Sequence, residues 1–295
     1  MRTILLLSIM FFLQGCFSAP SVDNQKPLFQ FATLADCQYC DQDQRGKRDY
    51  RGSLARLEKC VDHCNNQDLT YSVHLGDFID KDHASFAPLQ KLTAKLKAPI
   101  YHVLGNHDFS VADEYKSQVP SILGMPARYY DFKVKNWRFI ILDGNDISTH
   151  AYPKDSPKYK ESKAIHKKEY ARQAHYNGAL SATQLKWIES ILQKSQVANE
   201  QVALYCHFPV YPQDGHNLWN AKAVINLLEK YSCVKAYING HNHKGNYAVK
   251  EGIHYLTLKG MVENKEPTYG IIDVYSDRLE FKGQGAETDR KMILR

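Results

Sequence analysis

The sequence predicts an α/β fold in which two sheets pack face to face with helices on their outer sides, an αββα sandwich. Apolar runs of strand length alternate with helical patterns over residues 28–104, and this order favours a mostly parallel sheet covered by helices. A second group of strands and helices follows over residues 129–238. From residue 247 onward, short alternating segments separated by turn residues indicate an antiparallel meander. One domain over residues 27–295 accommodates all three groups.

The first group consists of three predicted strands and two predicted helices. The strands cover residues 28–35, 70–75 and 100–104, and they end at Asp36, at Gly76-Asp77 and at Gly105-Asn106-His107-Asp108. The helices cover residues 54–64, where apolar side chains recur at helical spacing, and residues 86–96. Each strand therefore delivers polar side chains at its carboxyl end.

The second group begins with a predicted hairpin, residues 129–134 and 137–142 around the turn Lys135-Asn136. Helices are predicted over residues 185–192, with Ser181 as a candidate cap, and over residues 221–229. Strands over residues 202–206 and 234–238 end at His207 and at Gly240-His241. The segment 152–177 is rich in Lys and Tyr and has no clear period, so we interpret it as a long surface insertion near the mouth of the site.

The composition is that of an ordinary globular protein, with 43% hydrophobic and 24% charged residues among 295. The formal net charge of +6 is spread along the chain and forms no basic stripe, so no nucleic-acid partner is expected. A weakly positive surface suits an anionic substrate, although most proteins carry such a charge only for solubility.

The amino terminus has the pattern of an export signal. Arg2 precedes an apolar run over residues 4–13, which is too short to span a bilayer but has the length of a signal-peptide core. The following Leu13-Gln14-Gly15-Cys16 resembles the bacterial lipobox. We therefore expect a lipoprotein signal peptide over residues 1–15, and an acylated Cys16 with a polar tether over residues 16–26. The protein would then be exported and lipid-anchored to a bacterial membrane, periplasmic or at the cell surface. The alternative is a plain secretory signal cut near Ala19.

Six cysteines remain once Cys16 is assigned to the anchor. The spacing of Cys37 and Cys40, and of Cys60 and Cys64, could indicate zinc. Cys60 and Cys64 fall on the apolar stripe of their predicted helix, which favours buried thiols or one long-range disulfide. The sequence leaves these two alternatives open.

Five segments at predicted strand ends carry residue types that bind metal ions. They are Asp36-x-Gln38, Gly76-Asp77, Gly105-Asn106-His107-Asp108, His207 and Gly240-His241-Asn242-His243. In open α/β sheets, ligands bind in the crevice at the carboxyl ends of the strands. Each segment alone is a weak signal, and only the full set in this order predicts a metal site.

These segments resemble the blocks of the calcineurin-like metallophosphoesterases, which read Asp-x-His, Gly-Asp, Gly-Asn-His, His and Gly-His-x-His. The chain departs from that pattern at Gln38, where most members have histidine. With Gln38 and residues 48–54, it is similar to the manganese-dependent ADP-ribose/CDP-alcohol diphosphatases. The likeness continues through Asn177-Gly178-Ala179-Leu180-Ser181, Gly260-Met261-Val262-Glu263, Lys282-Gly283-Gln284-Gly285 and Asp289-Arg290. It covers nearly everything after the tether, and it implies the two-sheet fold of the metallo-dependent phosphatases.

The resemblance also implies a ligand set for two divalent metal ions, Mn²⁺ above all, with Mg²⁺, Fe or Zn²⁺ as alternatives. It puts Asp36, Gln38 and His243 on one metal, and Asn106, His207 and His241 on the other, with Asp77 bridging both. The hard carbonyl oxygen of Gln38 independently favours Mn²⁺ or Mg²⁺ over zinc. For catalysis, the resemblance places His107 at the substrate phosphate, with Asp108 orienting it.

Two residues are candidates for substrate contacts. Tyr39 could stack on a nucleobase or cover the edge of the core. Arg51 could clamp a second phosphate or sit on the first turn of its helix.

The activity that the resemblance implies is hydrolysis of the diphosphate bond in nucleotide diphosphate conjugates, the ADP-ribose and CDP-choline or CDP-glycerol class. The products would be a nucleoside monophosphate and a phosphorylated alcohol or sugar. A phosphomonoesterase, a cyclic-nucleotide phosphodiesterase and a non-catalytic nucleotide-binding lipoprotein are the alternatives. We expect a monomer whose partners are this small-molecule substrate and, through lipid on Cys16, the membrane.

Overall fold

The computed structural model describes residues 25–295. The strands are β1 (Phe29–Leu34), β2 (Leu69–His74), β3 (Ile100–His102), β4 (Tyr130–Val134), β5 (Trp137–Ile141), β6 (Gln201–Tyr205), β7 (Val234–Asn239), β8 (Lys244–Lys250), β9 (Ile253–Lys259), β10 (Tyr269–Val274), β11 (Arg278–Gln284) and β12 (Arg290–Ile293). The α-helices are α1 (Gly52–Cys64), α2 (Phe86–Thr93), α3 (Asp113–Lys116), α4 (Val119–Ile122), α5 (Pro157–Glu169), α6 (Ala182–Val197) and α7 (Ala221–Leu228). The predicted signal peptide, Cys16 and most of the tether lie outside the described residues.

The strands form two six-stranded sheets. The first has the order β12-β11-β10-β1-β2-β3, and the second has the order β4-β5-β6-β7-β9-β8. In the first sheet β1, β2 and β3 run parallel, and in the second β5, β6, β7 and β9 run parallel. Because parallel strands gather their carboxyl ends at one edge of a sheet, the predicted ligand-bearing segments meet at such an edge.

Aromatic side chains fill the space between the two sheets. The ring of Phe31 in β1 lies 4.8 Å from that of Tyr71 in β2 and 5.7 Å from that of Phe139 in β5. Phe139 stacks in turn on Tyr205 of β6 at 5.8 Å. The hydroxyls of Tyr71 and Tyr205 are hydrogen-bonded across the interface at 2.8 Å. The inner faces of the two sheets therefore pack directly against each other.

The side chains of β5 alternate between two cores. Phe139 and Ile141 belong to the core between the sheets, whereas Ile140 and Leu142, the residue that follows β5, join the apolar cluster beneath α6 and α7. On the opposite side, α1 buries Leu57 in the cluster that includes the first sheet. The order of layers is helix, sheet, sheet, helix, which confirms the predicted αββα sandwich.

The carboxyl-terminal segment departs from the predicted meander. The hairpin β8–β9 belongs to the second sheet, where β9 runs parallel to β7, and β10, β11 and β12 complete the first sheet. The chain crosses between the sheets through a 3₁₀ turn, Met261–Glu263. Alternating polarity identifies strands but not their partners, so the crossing was not predictable from the pattern.

The segment 152–177 contains a helix, α5, that the sequence pattern did not predict. Ser156 caps it, with its hydroxyl accepting a hydrogen bond from the backbone N–H of Tyr159. The helix buries only Ser162 and His166. A helix with almost no buried apolar face leaves no hydrophobic period in the sequence, which is why it was missed.

The other predicted elements are found within a few residues of their expected bounds. The predicted hairpin forms β4 and β5, with its turn at Lys135-Asn136. The hydroxyl of Ser181 accepts a hydrogen bond from the backbone N–H of Gln184 at 3.1 Å, so Ser181 caps α6 as predicted. The six cysteines of the described part of the chain are buried free thiols. Within residues 25–295, none of the helices has the length and apolarity needed to cross a membrane.

Candidate metal centre

The seven predicted ligands come together where the parallel strands end. Asp36 and Gln38 follow β1, Asp77 follows β2, and Asn106 follows β3 in the first sheet. His207 follows β6, and His241 and His243 follow β7 in the second. Ligand atoms of Asp77, His207 and His241 all lie within 4.8 Å of one another.

One half of the centre contains Asp36, Gln38 and His243. Nε2 of His243 lies 3.3 Å from Oδ1 of Asp36 and 3.2 Å from the side-chain amide nitrogen of Gln38. The same Gln38 nitrogen donates to Oδ2 of Asp77 at 2.9 Å. A half-turn of the amide would exchange its nitrogen and oxygen and put the carbonyl of Gln38 beside Oδ2 of Asp77, an arrangement of two acceptors that a cation between them would satisfy.

The other half contains His207, His241 and Asn106. Nε2 of His207 lies 3.3 Å from Oδ2 of Asp77 and 3.1 Å from Nδ1 of His241. The Oδ2 atom of Asp77 thus neighbours both halves, as a bridging ligand requires.

Three buried oxygens of this group accept no hydrogen bond: Asp36 Oδ1, Gln38 Oε1 and Asn106 Oδ1. A buried acceptor without a donor costs free energy. Divalent cations that prefer oxygen ligands satisfy such atoms. The residues present therefore fit two divalent metal ions.

The backbone is strained at four of the predicted ligands. The φ angles of Asp36, Gln38, Asp77 and His241 are +55°, +43°, +55° and +67°. Residues other than glycine rarely adopt this left-handed region, and such strain concentrates at functional sites. Close approach also explains Gly76, because a Cβ atom there would lie 2.7 Å from Nδ1 of His207.

Each histidine of the group donates a hydrogen bond from its other ring N–H to a fixed acceptor. Nδ1 of His207 bonds the carbonyl of Leu75 at 2.8 Å. Nδ1 of His243 pairs with Oε1 of Glu263 at 2.9 Å. Burial disfavours the imidazolium, but Asp36 and Glu263 outweigh burial and raise the pKa of His243 to about 10. The surroundings of His243 therefore favour positive charge, as a cation site must.

His107 stands beside the ligand group and faces the cavity. Its backbone N–H donates to Oδ1 of Asp77 at 2.7 Å, and its Nδ1 lies 3.0 Å from Oδ1 of Asp80. Burial alone would lower the pKa of His107, yet the carboxylates of Asp77 and Asp80 raise it above its ordinary value. His107 therefore holds its proton to higher pH than a free imidazole.

Asp108 has a different position from the one expected. Its buried carboxylate accepts hydrogen bonds from the backbone N–H groups of Asp77 (3.1 Å), Phe78 (2.8 Å), Ile79 (3.4 Å) and Gly105 (2.8 Å). It thereby joins the loop after β2 to the loop after β3. The structure places Asp80, not Asp108, against the ring of His107.

An open cavity of about 780 Å³ leads to the predicted ligands. Its lining residues are Gln38, Arg48, Asp77, Asn106, His107, Ser110, Thr149, His150, His175, Tyr176, His216, His241, Asn242, His243, Lys244 and Glu263. Arg48 is held only loosely, at 3.6 Å from Asp80 and 3.9 Å from Glu263. Arg48 and Lys244 thus supply positive charge at the cavity.

Neither predicted substrate contact lines this cavity. Tyr39 packs against the edge of the main core, which was the alternative interpretation of this residue. The guanidinium of Arg51 is exposed and bonds Oδ1 of Asp41 at 2.6 Å and the carboxylate of Asp43. Arg51 is therefore held by its own loop, and the arginine at the cavity is Arg48, three residues earlier.

Comparison with known proteins accounts for this arrangement. Residues 29–245 match the family model of the calcineurin-like phosphoesterases. The chain belongs to that family. The resemblance drawn from the sequence blocks is confirmed, and the protein is a metal-dependent hydrolase.

The phosphoesterase is similar over almost its whole length to named relatives. It is 33% identical to a "Manganese-dependent ADP-ribose/CDP-alcohol diphosphatase" of Arabidopsis thaliana, over 90% of this chain and 96% of the relative. It is 30% identical to the protein of the same name from Xenopus tropicalis, over 92% and 96%. The crystal structure of a dimetal phosphatase from Danio rerio is similar with a TM-score of 0.82 and 26% identity, covering 92% of this chain and all of that one.

Asp80, Arg48, Asn177 and Glu263 are features of this phosphoesterase that the sequence analysis did not identify as site residues. Asn177 and Glu263 each accept a hydrogen bond from a candidate ligand, His241 and His243. Both stand in blocks that carried the family resemblance, and that likeness was the signal that could have found them.

Proposed function

We propose that this phosphoesterase hydrolyses the diphosphate bond of nucleotide diphosphate conjugates of the ADP-ribose and CDP-alcohol class. The products are a nucleoside monophosphate and a phosphorylated alcohol or sugar. The observation that carries the proposal is a complete ligand set with Gln38 in the place of the usual histidine. The activity named for the relatives at 33% and 30% identity supports it.

We propose Mn²⁺ as the metal and assign the ligands as the resemblance implies. Asp36, Gln38 and His243 would hold one ion, and Asn106, His207 and His241 would hold the other, with Asp77 shared. The chemistry supplied there would be Lewis-acid polarisation of the phosphoryl group and a lowered pKa of bound water. Amide and carboxylate oxygens in this set favour Mn²⁺ or Mg²⁺ over zinc.

His107 acts on the leaving phosphate through its charge. Asp80 orients the ring and keeps it protonated, and the backbone N–H of His107 is tied to Asp77. The second pKa of a phosphate monoester is about 6, so this leaving group departs without full protonation. His107 therefore stabilises the negative charge that develops, and proton donation is secondary. Arg48 and Lys244 bind the phosphate groups of the substrate.

Hydrolysis of ADP-ribose and CDP-choline with Mn²⁺, followed by ³¹P NMR of the products, tests this proposal. Two phosphate monoesters are expected from each substrate, and no inorganic phosphate. Cleavage confined to p-nitrophenyl phosphate or to cyclic nucleotides would reject it. His107→Ala should retain substrate binding and lose about 100-fold or more in kcat. Binding with no turnover in the parent protein would instead indicate a nucleotide-binding lipoprotein.

We also propose that the enzyme is exported as a monomer and anchored to a bacterial membrane through lipid on Cys16. The apolar run over residues 4–13 and the lipobox-like Leu13-Gln14-Gly15-Cys16 support this location. The full chain should partition into the detergent phase, and Cys16→Ser should move it to the aqueous phase. Cleavage near Ala19, read from the amino-terminal peptide by mass spectrometry, would support plain secretion and contradict the anchor.

A further inference from the structure

Asn177 lies directly behind one of the candidate metal ligands. Its side chain is fully buried in the loop between α5 and α6. Its Oδ1 accepts a hydrogen bond from Nε2 of His241 at 2.9 Å. Its Nδ2 donates to the carbonyl oxygens of Gly215 at 2.9 Å and Asn217 at 3.0 Å. Every polar atom of this side chain is therefore engaged.

The two donated bonds determine which way the amide faces. Rotating the amide by a half-turn would aim Oδ1 at the carbonyl oxygens of Gly215 and Asn217, where no donor is present. Oδ1 consequently faces His241, and Nε2 of His241 must carry the ring proton. The other ring nitrogen, Nδ1, is left with its lone pair free.

That lone pair is the one directed at the ligand group. Nδ1 of His241 lies 3.1 Å from Nε2 of His207, which lies 3.3 Å from the bridging carboxylate of Asp77. An imidazole binds a metal only through an unprotonated nitrogen, and a hydrogen bond at the other nitrogen selects the tautomer. Asn177 therefore sets His241 in the form that binds metal.

The same amide joins the ligand to one wall of the cavity. Gly215 and Asn217 flank His216, and Asn177 follows His175 and Tyr176; all three of these aromatic side chains line the cavity. The backbone N–H of Trp219 donates to the carbonyl of Gly178 at 2.8 Å and closes the junction between the two loops. One side chain thus links the position of a metal ligand to the loop over residues 213–217.

We propose that Asn177 is a positioning residue that fixes the tautomer of His241 and couples metal occupancy to the conformation of the loop 213–217. The inference rests on the proposed two-metal function of the site. Coupling between two sites is reciprocal, so metal on His241 orders the loop, and the ordered loop strengthens metal binding.

Mn²⁺ binding, measured by electron paramagnetic resonance of the free ion, tests the proposal together with hydrogen exchange of the segment 213–219. The parent protein should bind two Mn²⁺ ions, which slow exchange in this segment. Asn177→Ala should weaken the affinity for one of the two Mn²⁺ ions by about 10- to 100-fold, as the loss of a residue that hydrogen-bonds a metal ligand does. It should also abolish the Mn²⁺-dependent slowing.

The outcomes separate this inference from the proposed function. If the parent protein binds fewer than two Mn²⁺ ions, the proposed two-metal centre itself is rejected. A parent that binds two, with unchanged affinities in Asn177→Ala, would overturn only the role of Asn177.

Asn217→Ala is the matched control. Asn217 is also buried, and its Nδ2 donates to the carbonyls of Val210 at 2.8 Å and Pro212 at 3.0 Å, but its side chain contacts none of the candidate ligands. It should lose much less Mn²⁺ affinity than Asn177→Ala, because it can act only through the loop. An equal loss in both variants would mean that Asn177 only holds the loop, which contradicts the tautomer role.

Asn177→Asp distinguishes the two parts of the proposal. Its carboxylate can accept from Nε2 of His241 but cannot donate to Gly215 or Asn217. Mn²⁺ affinity should therefore fall only by the share that the ordered loop contributes, much less than in Asn177→Ala, while the slowing of exchange over residues 213–219 is lost. A loss at one site as large as the 10- to 100-fold expected for Asn177→Ala would overturn the tautomer role even if Asn177→Ala does not fold.

Discussion

The side chain of Gln38 combines two properties that set it apart from the rest of the core. It is almost fully buried, with its Oε1 accepting no hydrogen bond, and its backbone has a φ of +43°. Each property costs stability, of the order of 1–3 kcal/mol. A residue that served the core alone would have neither, so the local chemistry indicates a ligand whose partner is a cation.

Replacing Gln38 by histidine should shift the metal preference of the enzyme. Imidazole is a softer ligand than an amide oxygen, so the ratio of activity with Mn²⁺ to activity with Zn²⁺ should fall. We expect a fall of roughly ten-fold, the lower limit of the change in affinity or activity that mutations around a metal site cause. Rates on ADP-ribose at matched free concentrations of the two ions measure this. Gln38→Ala is the control, because it removes the ligand and should lower activity with both ions. A ratio unchanged in Gln38→His would argue against Gln38 as a ligand.

Asp80→Asn should change how activity depends on pH. Asp80 helps to raise the pKa of His107, so the imidazolium persists to higher pH in the parent than in the variant. Activity that needs protonated His107 is lost as pH rises through this pKa, and the alkaline limb of kcat should therefore move to lower pH in Asp80→Asn. His107→Ala should show no such limb. If the limb stays in place in Asp80→Asn, a different group titrates there.

At the scale of elements, the site depends on the close contact between the loop that follows β2 and the loop that follows β3. A Cβ on Gly105 would lie 2.1 Å from the backbone nitrogen of Asp77, and one on Gly76 would lie 2.7 Å from that of Gly105. Asp108 joins the same two loops through four backbone N–H groups. The glycines let the loops touch, and the buried carboxylate holds them together.

Gly76→Ala should destabilise the protein by about 3 kcal/mol, because a positive φ and a steric clash with neighbouring backbone add up. The position has a φ of +94°. Gly124→Ala is a matched control: its φ is +66°, but a Cβ there would meet no atom within 4 Å, so the cost should be about 1 kcal/mol. Urea unfolding of both variants, without added metal, measures the difference. Equal losses of unfolding free energy in the two variants would mean that the backbone around Gly76 moves freely to make room for the added methyl group.

At the scale of the whole molecule, the ligand group spans both sheets. Asp36, Asp77 and Asn106 come from the first sheet, and His207, His241 and His243 come from the second. Elsewhere the sheets are joined by apolar contacts such as Phe31 with Phe139 and by the Tyr71–Tyr205 hydrogen bond. Metal ions held by this group would therefore cross-link the two halves of the sandwich.

Mn²⁺ should raise the thermal stability of the fold, and chelation should lower it. A ligand at 100 times its Kd stabilises the native state by about 2.7 kcal/mol per site. Differential scanning calorimetry with Mn²⁺ and with EDTA measures the shift in Tm. Asp77→Asn, which removes the shared carboxylate, should lose most of the Mn²⁺ effect. The same shift in Asp77→Asn as in the parent would place the stabilising ions elsewhere.

The sequence by itself predicted the αββα layers, because strand and helix periods are local. It also gave the seven candidate ligands, since polar segments at the ends of predicted strands matched the blocks of a known family. Ser181 is a further example, because a cap and its helix are neighbours in the chain.

Only the tertiary structure decided which residues act around those ligands. Asn177 and His241 are 64 residues apart, and Asp80 reaches His107 across 27 residues, so no local spacing reports these contacts. Arg51 was the predicted phosphate contact, but its guanidinium bonds Asp41 and Asp43 of its own loop, and Arg48 lines the cavity instead. Local pattern identifies the chemical groups, whereas side-chain direction depends on long-range packing that the pattern does not contain.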